Sequence, residues 1–246
     1  GLAAAGVRIR IGRTPERVDR TDAQTVTVLL DDGTTLSCDE LLVATGRRPR
    51  TADLGLDRFG LSDHGYLPTD GTLTVASVDG AWLYAVGDAN GRNLLTHMGK
   101  YQARICGDVI VARAKGADGA LPVAFADEVG APQVVFTDPQ VAAVGRTEAQ
   151  ARAAGLDVDT VTVGFDTVAG AGLHADGYQG RAKLVMDADG GVLLGATFVG
   201  PDVAELVHAA TVAVVGRVPV DQLWHAVPAY PTLSEVWLRL LEATGR

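Results

Sequence analysis

Apolar and polar positions alternate with period two along residues 6–11 (Gly6-Val7-Arg8-Ile9-Arg10-Ile11) and again along residues 25–30. That period places every second side chain on one face, so both segments are expected to be half-buried strands. Asp31-Asp32-Gly33-Thr34 comes after the second, and its Asp and Gly tolerate the positive φ of a hairpin turn. Residues 36–44 are expected to return as a third strand, whose apolar end Leu41-Leu42-Val43-Ala44 has the composition of a buried strand and stops at Thr45-Gly46. Ahead of this meander, Gly1-Leu2-Ala3-Ala4-Ala5 has the pattern of a helix tail with Gly6 as its stop, so the chain is expected to begin inside a domain. Residues 51–80 are polar and turn-rich. Trp82-Leu83-Tyr84-Ala85-Val86 is an apolar strand candidate ending in Gly87-Asp88, and after a loop at 89–93 the period changes to that of a helix. Met98, Tyr101, Ile105 and Val109 then share one face over residues 96–112. A Gly- and Ala-rich connector at 115–120 marks a domain boundary.

Beyond it, Thr147-Glu148-Ala149-Gln150 has capping-box spacing, with Gly155 as the stop of that helix. Residues 160–165, 181–186 and 192–199 alternate as strands, the last two joined by Asp187-Ala188-Asp189-Gly190-Gly191. Ala204, Val207, Ala210, Thr211 and Val214 give residues 203–215 a small or apolar helical face, and residues 233–244 form a last helix. The order predicts an antiparallel sheet with helices on one side, the α+β class.

The composition narrows the chemistry. With 246 residues, 47% hydrophobic and 21% charged, the chain can fill a substantial core. A net charge of -9 argues against a nucleic-acid surface, and the densest basic run, Arg47-Arg48-Pro49-Arg50, is short. Cys38 and Cys106 form no Cys-x-x-Cys, so no disulfide framework, zinc site or vicinal redox pair is predicted, and inert thiols are expected. No metal site is expected. No apolar stretch reaches membrane-spanning length and no signal-peptide pattern opens the chain, which predicts a cytoplasmic protein without membrane contact.

A strand ending in Gly-Asp suits a ligand hydroxyl at its carboxyl edge: Gly87 has no side chain to block approach, and Asp88 offers two acceptor oxygens. Ala44-Thr45-Gly46 with Arg47, then Tyr84-Ala85-Val86-Gly87-Asp88, then Leu95-Thr96-His97 make this far more specific. In that combination the chain resembles the pyridine nucleotide-disulfide oxidoreductases, the flavoproteins that include dihydrolipoamide dehydrogenase and glutathione, mycothione and mercuric reductases. The resemblance runs nearly the whole length. It implies α/β remnants of the FAD- and NAD(P)-binding domains followed by an α+β dimerisation domain with an antiparallel sheet. Residues 1–46 would be the tail of the NAD(P)-binding domain, 47–118 the C-terminal part of the FAD-binding domain and 119–246 the dimerisation domain.

The resemblance also implies that Thr45, Gly46, Arg47, Gly87 and Asp88 line the FAD site, with Asp88 on the flavin ribitol chain. Backbone N–H groups around Leu95, Thr96 and His97 would meet the pyrimidine edge of the isoalloxazine, as suits the positive end of a helix. His97 is a candidate proton donor, although a lining role is more ordinary for a first-turn histidine. Gly170-Ala171-Gly172-Leu173-His174-Ala175 fits a dinucleotide-binding pattern in letters only. Gly177 and Gly180 interrupt the helix that such a site needs, and we read the segment as a flexible surface loop.

The sequence departs from the family at its end, His225-Ala226-Val227-Pro228-Ala229-Tyr230-Pro231-Thr232-Leu233-Ser234-Glu235. Disulfide reductases of the family carry a histidine just before this Pro-Thr, oriented by the glutamate, to exchange protons with redox thiols. Here the position is Tyr230, a poor base at neutral pH. Tyr230, Glu235 and His225 are the catalytic candidates, while Thr232-Leu233-Ser234-Glu235 also has capping-box spacing that gives Glu235 a structural role. Mercuric reductases also carry a tyrosine near this place, and some relatives without thiol machinery reduce quinones.

The expectation is therefore the C-terminal portion of an FAD-dependent NAD(P)H oxidoreductase, homodimeric through residues 119–246 and passing electrons to a small-molecule acceptor. Without the glycine fingerprint for FAD, the redox cysteines or the NAD(P) fingerprint, these 246 residues are not expected to hold FAD or turn over alone. The alternatives are a catalytically inactive dimerisation module, or a quinone-type reductase without dithiol chemistry.

Overall fold

The computed structural model describes residues 1–22, 24–117 and 119–245. The chain divides into two compact units, Gly1–Arg48 and Pro49–Arg246.

In the first unit, three strands form an antiparallel meander, β1 (Pro15–Asp22), β2 (Thr25–Leu30) and β3 (Thr35–Cys38). The alternation in β2 works as expected: Val26, Val28 and Leu30 are buried, with Leu36 and Cys38 of β3 packed against them. The turn at 31–34 also forms, with Gly33 at φ 78° and Thr34 N–H donating to Asp32 Oδ1 at 2.9 Å. Residues 1–7 make one helical turn closed by a Schellman pair, Gly6 N–H to Ala3 C=O at 3.1 Å and Val7 N–H to Leu2 C=O at 3.0 Å.

Two expected strands are absent. Residues 6–11 are turn and irregular backbone with Val7, Ile9 and Ile11 exposed, and the first strand is instead the wholly exposed β1, held by backbone pairing to β2. Leu41-Leu42-Val43-Ala44 is irregular, with Leu42 90% exposed. A buried strand needs pairing partners and cover on both faces, and within this unit no described strand lies beside 41–44.

The second unit opens with loops and a short 3-10 turn, Leu56–Phe59, over a small core of Leu56, Leu67, Val75, Val78 and Ala85. The expected strand at 82–88 is an extended segment rather than a ladder strand. It makes one antiparallel bridge, Thr74 to Tyr84, flanked by Val75 N–H to Leu83 C=O at 2.9 Å and Ala85 N–H to Leu73 C=O at 3.1 Å. Helix α1 (Thr96–Ala114) comes next, with Met98, Gln102, Cys106 and Val109 buried, so a glutamine shares the apolar stripe.

Helix α2 (Ala126–Val129) leads into a five-stranded antiparallel sheet of β4 (Gln133–Val135), β5 (Gln140–Gly145), β6 (Val158–Gly164), β7 (Arg181–Asp187) and β8 (Leu193–Gly200), in spatial order β4-β5-β8-β7-β6. Helices α3 (Glu148–Ala153), α4 (Ala169–His174), α5 (Val207–Val215), α6 (Val220–Leu223) and α7 (Val236–Glu242) complete it. The box at Thr147 forms: Gln150 N–H donates to Thr147 Oγ1 at 3.2 Å, and Thr147 N–H to Gln150 Oε1 at 2.9 Å. Helices do not lie on one side only. Leu184 and Met186 of β7 join the main core with residues of α5 and α7, while Val185 between them packs with Ala151 of α3. Consecutive buried residues in β7 demand cover on both faces, which the expectation of one helical layer missed.

Tyr178 closes one edge of this core, its hydroxyl donating to Pro201 C=O at 2.6 Å. Burial, with Asp202 nearby, pushes its phenol up to about 12. A phenol harder to ionise when folded adds stability that is full below its unfolded value near ~10 and is lost as pH rises through about 12, on the order of 2–3 kcal/mol. The stability advantage of wild type over Tyr178→Phe should therefore shrink between those two pH values in urea melts. Parallel pH curves for the two proteins would remove the argument.

Candidate functional site

The Gly87–Asn90 segment, expected to end a strand, is a 3-10 turn, and Gly87 at φ 66° is where the extended chain changes direction. That φ suits glycine, while a Cβ on Gly87 would make only ordinary contact, 3.7 Å from Gly99 Cα; the tighter constraint falls on Gly99. A Cβ on Gly99 in α1 would lie 3.2 Å from Gly87 Cα, so turn and helix touch backbone to backbone. Gly91 ends the turn at φ 72° under the ring of Tyr66, and Leu67 N–H donates to Ala89 C=O at 2.9 Å.

A buried polar chain lies beneath the turn. Gln102 Oε1 accepts from Gly87 N–H at 2.7 Å and from Asn90 Nδ2 at 2.9 Å. Gln102 Nε2 donates to Asp127 Oδ2 at 3.0 Å. Asn90 is fixed in turn by backbone, its Nδ2 donating to Ala85 C=O at 3.1 Å and its Oδ1 accepting from Arg92 N–H at 3.0 Å. Arg92 Nε lies 3.2 Å from Asp127 Oδ2, and the Asp127 side chain is 1% exposed. Burial holds the Asp127 carboxyl above the usual carboxylate range, against the opposing pull of Gln102 and Arg92. Its Oδ1 is buried without a hydrogen-bond partner.

Beside the turn, α1 begins at an extended N-cap residue, Leu95, that supplies no side-chain cap, and no acid stands in its first turn. The first-turn N–H groups have no helical acceptor, and the helix dipole adds positive potential there. An uncapped 19-residue helix beside a turn that opens on glycine fits a planar, acceptor-edged ligand. His97 is exposed, and its Nε2 lies 2.7 Å from Pro132 C=O, so Nε2 carries the proton and the ring is committed to that carbonyl.

Thus Gly87, Asp88, Leu95, Thr96 and His97 are gathered by one turn and one helix start. Thr45, Gly46 and Arg47 belong to the first unit, exposed, with Gly46 at φ 117°. Gln102, Asn90, Arg92 and Asp127 escaped the sequence reading. A polar residue inside the apolar stripe of α1 was the signal for Gln102, and Asp127 offered none.

The C-terminal candidates are not assembled with one another. His225 is exposed, and Tyr230 is 76% exposed. Glu235 is buried, its Oε2 accepting from Gly170 N–H at 3.3 Å. Among the described residues no hydrogen bond or ion pair joins the three. The expected capping box at Thr232 does not form: its hydroxyl donates to Ala229 C=O at 2.7 Å, and Glu235 reaches α4 instead. Nor is the segment at 170–175 a flexible loop. It lies largely in α4 with Gly170 buried, and a Cβ there would stand 2.1 Å from the Thr232 carbonyl carbon. Close packing on Thr232, rather than a turn, explains that glycine.

Cys38 and Cys106 are free thiols, and burial pushes Cys106 up. Among the described residues, no group of three or more His, Cys, Asp or Glu could hold a metal, and no helix is long and apolar enough to cross a membrane.

Comparison with known proteins gives two family matches. Residues 1–116 match the pyridine nucleotide-disulphide oxidoreductase model, and residues 131–241 match the dimerisation domain of the same group. The dihydrolipoyl dehydrogenase of Bacillus subtilis is 30% identical over 91% of this chain and 46% of its own length. That of Halobacterium salinarum is 33% identical over 91% of the chain and 45% of its own length. The chain thus spans about half the length of the curated relatives it matches. Among solved structures, LpdA from Mycobacterium tuberculosis superposes with TM-score 0.81 at 28% identity, covering 98% of this chain and 50% of that one. The HOCl-induced flavoprotein disulfide reductase RclA of Escherichia coli gives 0.80 at 26% identity, over 98% of this chain and 53% of that one.

Proposed function

Since the chain belongs to the pyridine nucleotide-disulphide oxidoreductases, we propose that it forms the C-terminal portion of an FAD-dependent NAD(P)H oxidoreductase. In this reading, residues 1–46 close an NAD(P)-binding domain, 47–118 supply the ribitol- and isoalloxazine-facing part of the FAD site, and 119–246 form a homodimer interface. The observation that carries it is the Gly87–Asn90 turn seated against the uncapped start of α1. Bound FAD would supply the redox chemistry, taking electrons from the nicotinamide and passing them to a small-molecule acceptor. The chain's own part is position and charge. Asp88 accepts from a ribitol hydroxyl and Gly87 leaves room for that approach, while Thr45, Gly46 and Arg47 are the first unit's own candidates for cofactor contact. Backbone N–H groups of Thr96 and His97 favour negative charge at the pyrimidine edge, while the Leu95 N–H donates to Asn93 C=O at 2.9 Å and contributes only through the helix dipole. Val212, Val227 and Tyr230, exposed on residues 119–246, support a covered dimer surface.

The intact gene product should purify yellow, bind about one FAD per chain and oxidise NADH or NADPH, and Asp88→Ala should weaken FAD about tenfold. A colourless product that takes up no FAD would overturn the reading.

A quinone-type reductase without dithiol chemistry is the second reading. What favours it is the exposed phenol of Tyr230 where an imidazole would be needed, together with the commitment of Glu235 to Gly170. Turnover with a quinone but not with a disulfide would support it, and Tyr230→His would leave the quinone rate unchanged.

A further inference from the structure

We propose that Gln102 and Asp127 are positioning residues for the cofactor, holding the Gly87–Asn90 turn in the shape that presents Asp88, with Asp127 dictating which end of the Gln102 amide faces Gly87. This deepens the proposed function and rests on its FAD reading. The case comes from the polarity of the hydrogen-bond chain. Gly87 N–H and Asn90 Nδ2 are both donors, and Asn90 cannot reverse, because Ala85 C=O and Arg92 N–H fix its two ends. Gln102 must therefore offer its oxygen on that side and its nitrogen on the other, where Asp127 Oδ2 faces two donors, Gln102 Nε2 and Arg92 Nε, and so accepts. Were the amide reversed, its N–H groups would face two donors in a buried pocket.

The arrangement is a poor device for stability alone. Asp127 is buried with Oδ1 unpaired and Gln102 is fully buried, where apolar residues of similar volume would serve a core at least as well. What an apolar pair cannot do is receive the Gly87 amide and so fix the peptide that precedes Asp88. Arg92 extends the same control, pairing with Asp127 while its Nη1 donates to Asp70 C=O at 2.9 Å and its own N–H holds Asn90.

The test uses the intact gene product stripped of flavin, then titrated with FAD, with hydrogen exchange of the peptide spanning 83–90 measured before FAD is added. Gln102→Glu keeps an acceptor for Gly87 but sets a carboxylate against Asp127. It should weaken FAD about tenfold and speed exchange in the turn by a similar factor, leaving exchange across the Val75–Leu83 hydrogen bond unchanged. Adding Asp127→Asn gives the introduced carboxylate an amide donor at the cost of the Arg92 pair, so the double variant should recover most, but not all, of the loss in both readouts. A purely structural role would speed exchange at the Val75–Leu83 hydrogen bond along with the turn. Unchanged turn exchange in Gln102→Glu, or a double variant no closer to wild type than the single one, would overturn the proposal. A wild-type protein that binds no FAD would instead sink the FAD reading, since exchange in the turn is measured without flavin.

Discussion

Phe198→Ala is expected to cost about 3–5 kcal/mol, among the larger losses for a core truncation in the β4–β8 domain. Phe198 is fully buried in β8, the strand hydrogen-bonded to β5 on one side and β7 on the other. Its ring lies 5.8 Å from that of Trp237 in α7, and the surrounding core includes Leu184, Val203, Ala210 and Leu240. Truncation would leave a void whose walls belong to the sheet and to two helices, none free to close on it without breaking strand pairing. For a unit of this size the thermal midpoint should fall on the order of 10 °C. A loss under about 1 kcal/mol would mean that the helices repack over the sheet more freely than this core allows.

Gly170→Ala is expected to destabilise the same domain by about 2–3 kcal/mol, although alanine is ordinarily the better helix residue. A Cβ at this position would meet the backbone of Thr232 at 2.1, 2.3 and 2.6 Å, and backbone cannot rotate aside as a flexible side chain could. The clash also separates Gly170 N–H from Glu235 Oε2. Glu235→Ala should cost about 1–3 kcal/mol by leaving that buried donor unpaired. Because both substitutions break one contact, the double variant should lose clearly less than the sum of the two. Additive losses in denaturant titrations would show that Glu235 acts elsewhere.

Glu235 also shows why sequence reached some features and missed others. Thr147-Glu148-Ala149-Gln150 and Thr232-Leu233-Ser234-Glu235 carry the same capping pattern, yet only the first becomes a box. Gln150 has solvent around it and nothing better to bind, whereas Glu235 is buried beside an amide from another element. Local pattern decides where nothing competes. The same holds for strands. Alternation found β2 because Val26, Val28 and Leu30 each bury against one face. It passed over β1, whose charged residues are held by strand pairing and by exposed ion pairs such as Arg20 to Glu40, and misplaced Leu41 to Ala44, whose composition promised a burial this unit does not supply. At the candidate site, Gly87, Asp88 and the α1 start were legible because each uses a backbone property that residue type reveals. The polar chain beneath them was not, since Asp127 lies far along the chain and only folding brings it to Gln102.

Where side chains separate two elements, a small shift of one is absorbed by rotamer changes before it reaches the other. Between Gly87 and Gly99 there is no such cushion. His97 and Asn93, at the head of α1, are tied to the carbonyls of Pro132 and Asp127, on the approach to the five-stranded sheet. Helix and turn thus meet backbone on backbone. A displacement at that end of the sheet would meet, between helix and turn, backbone contact with no side chain to absorb it, a mechanical link that neither glycine's chemistry would suggest.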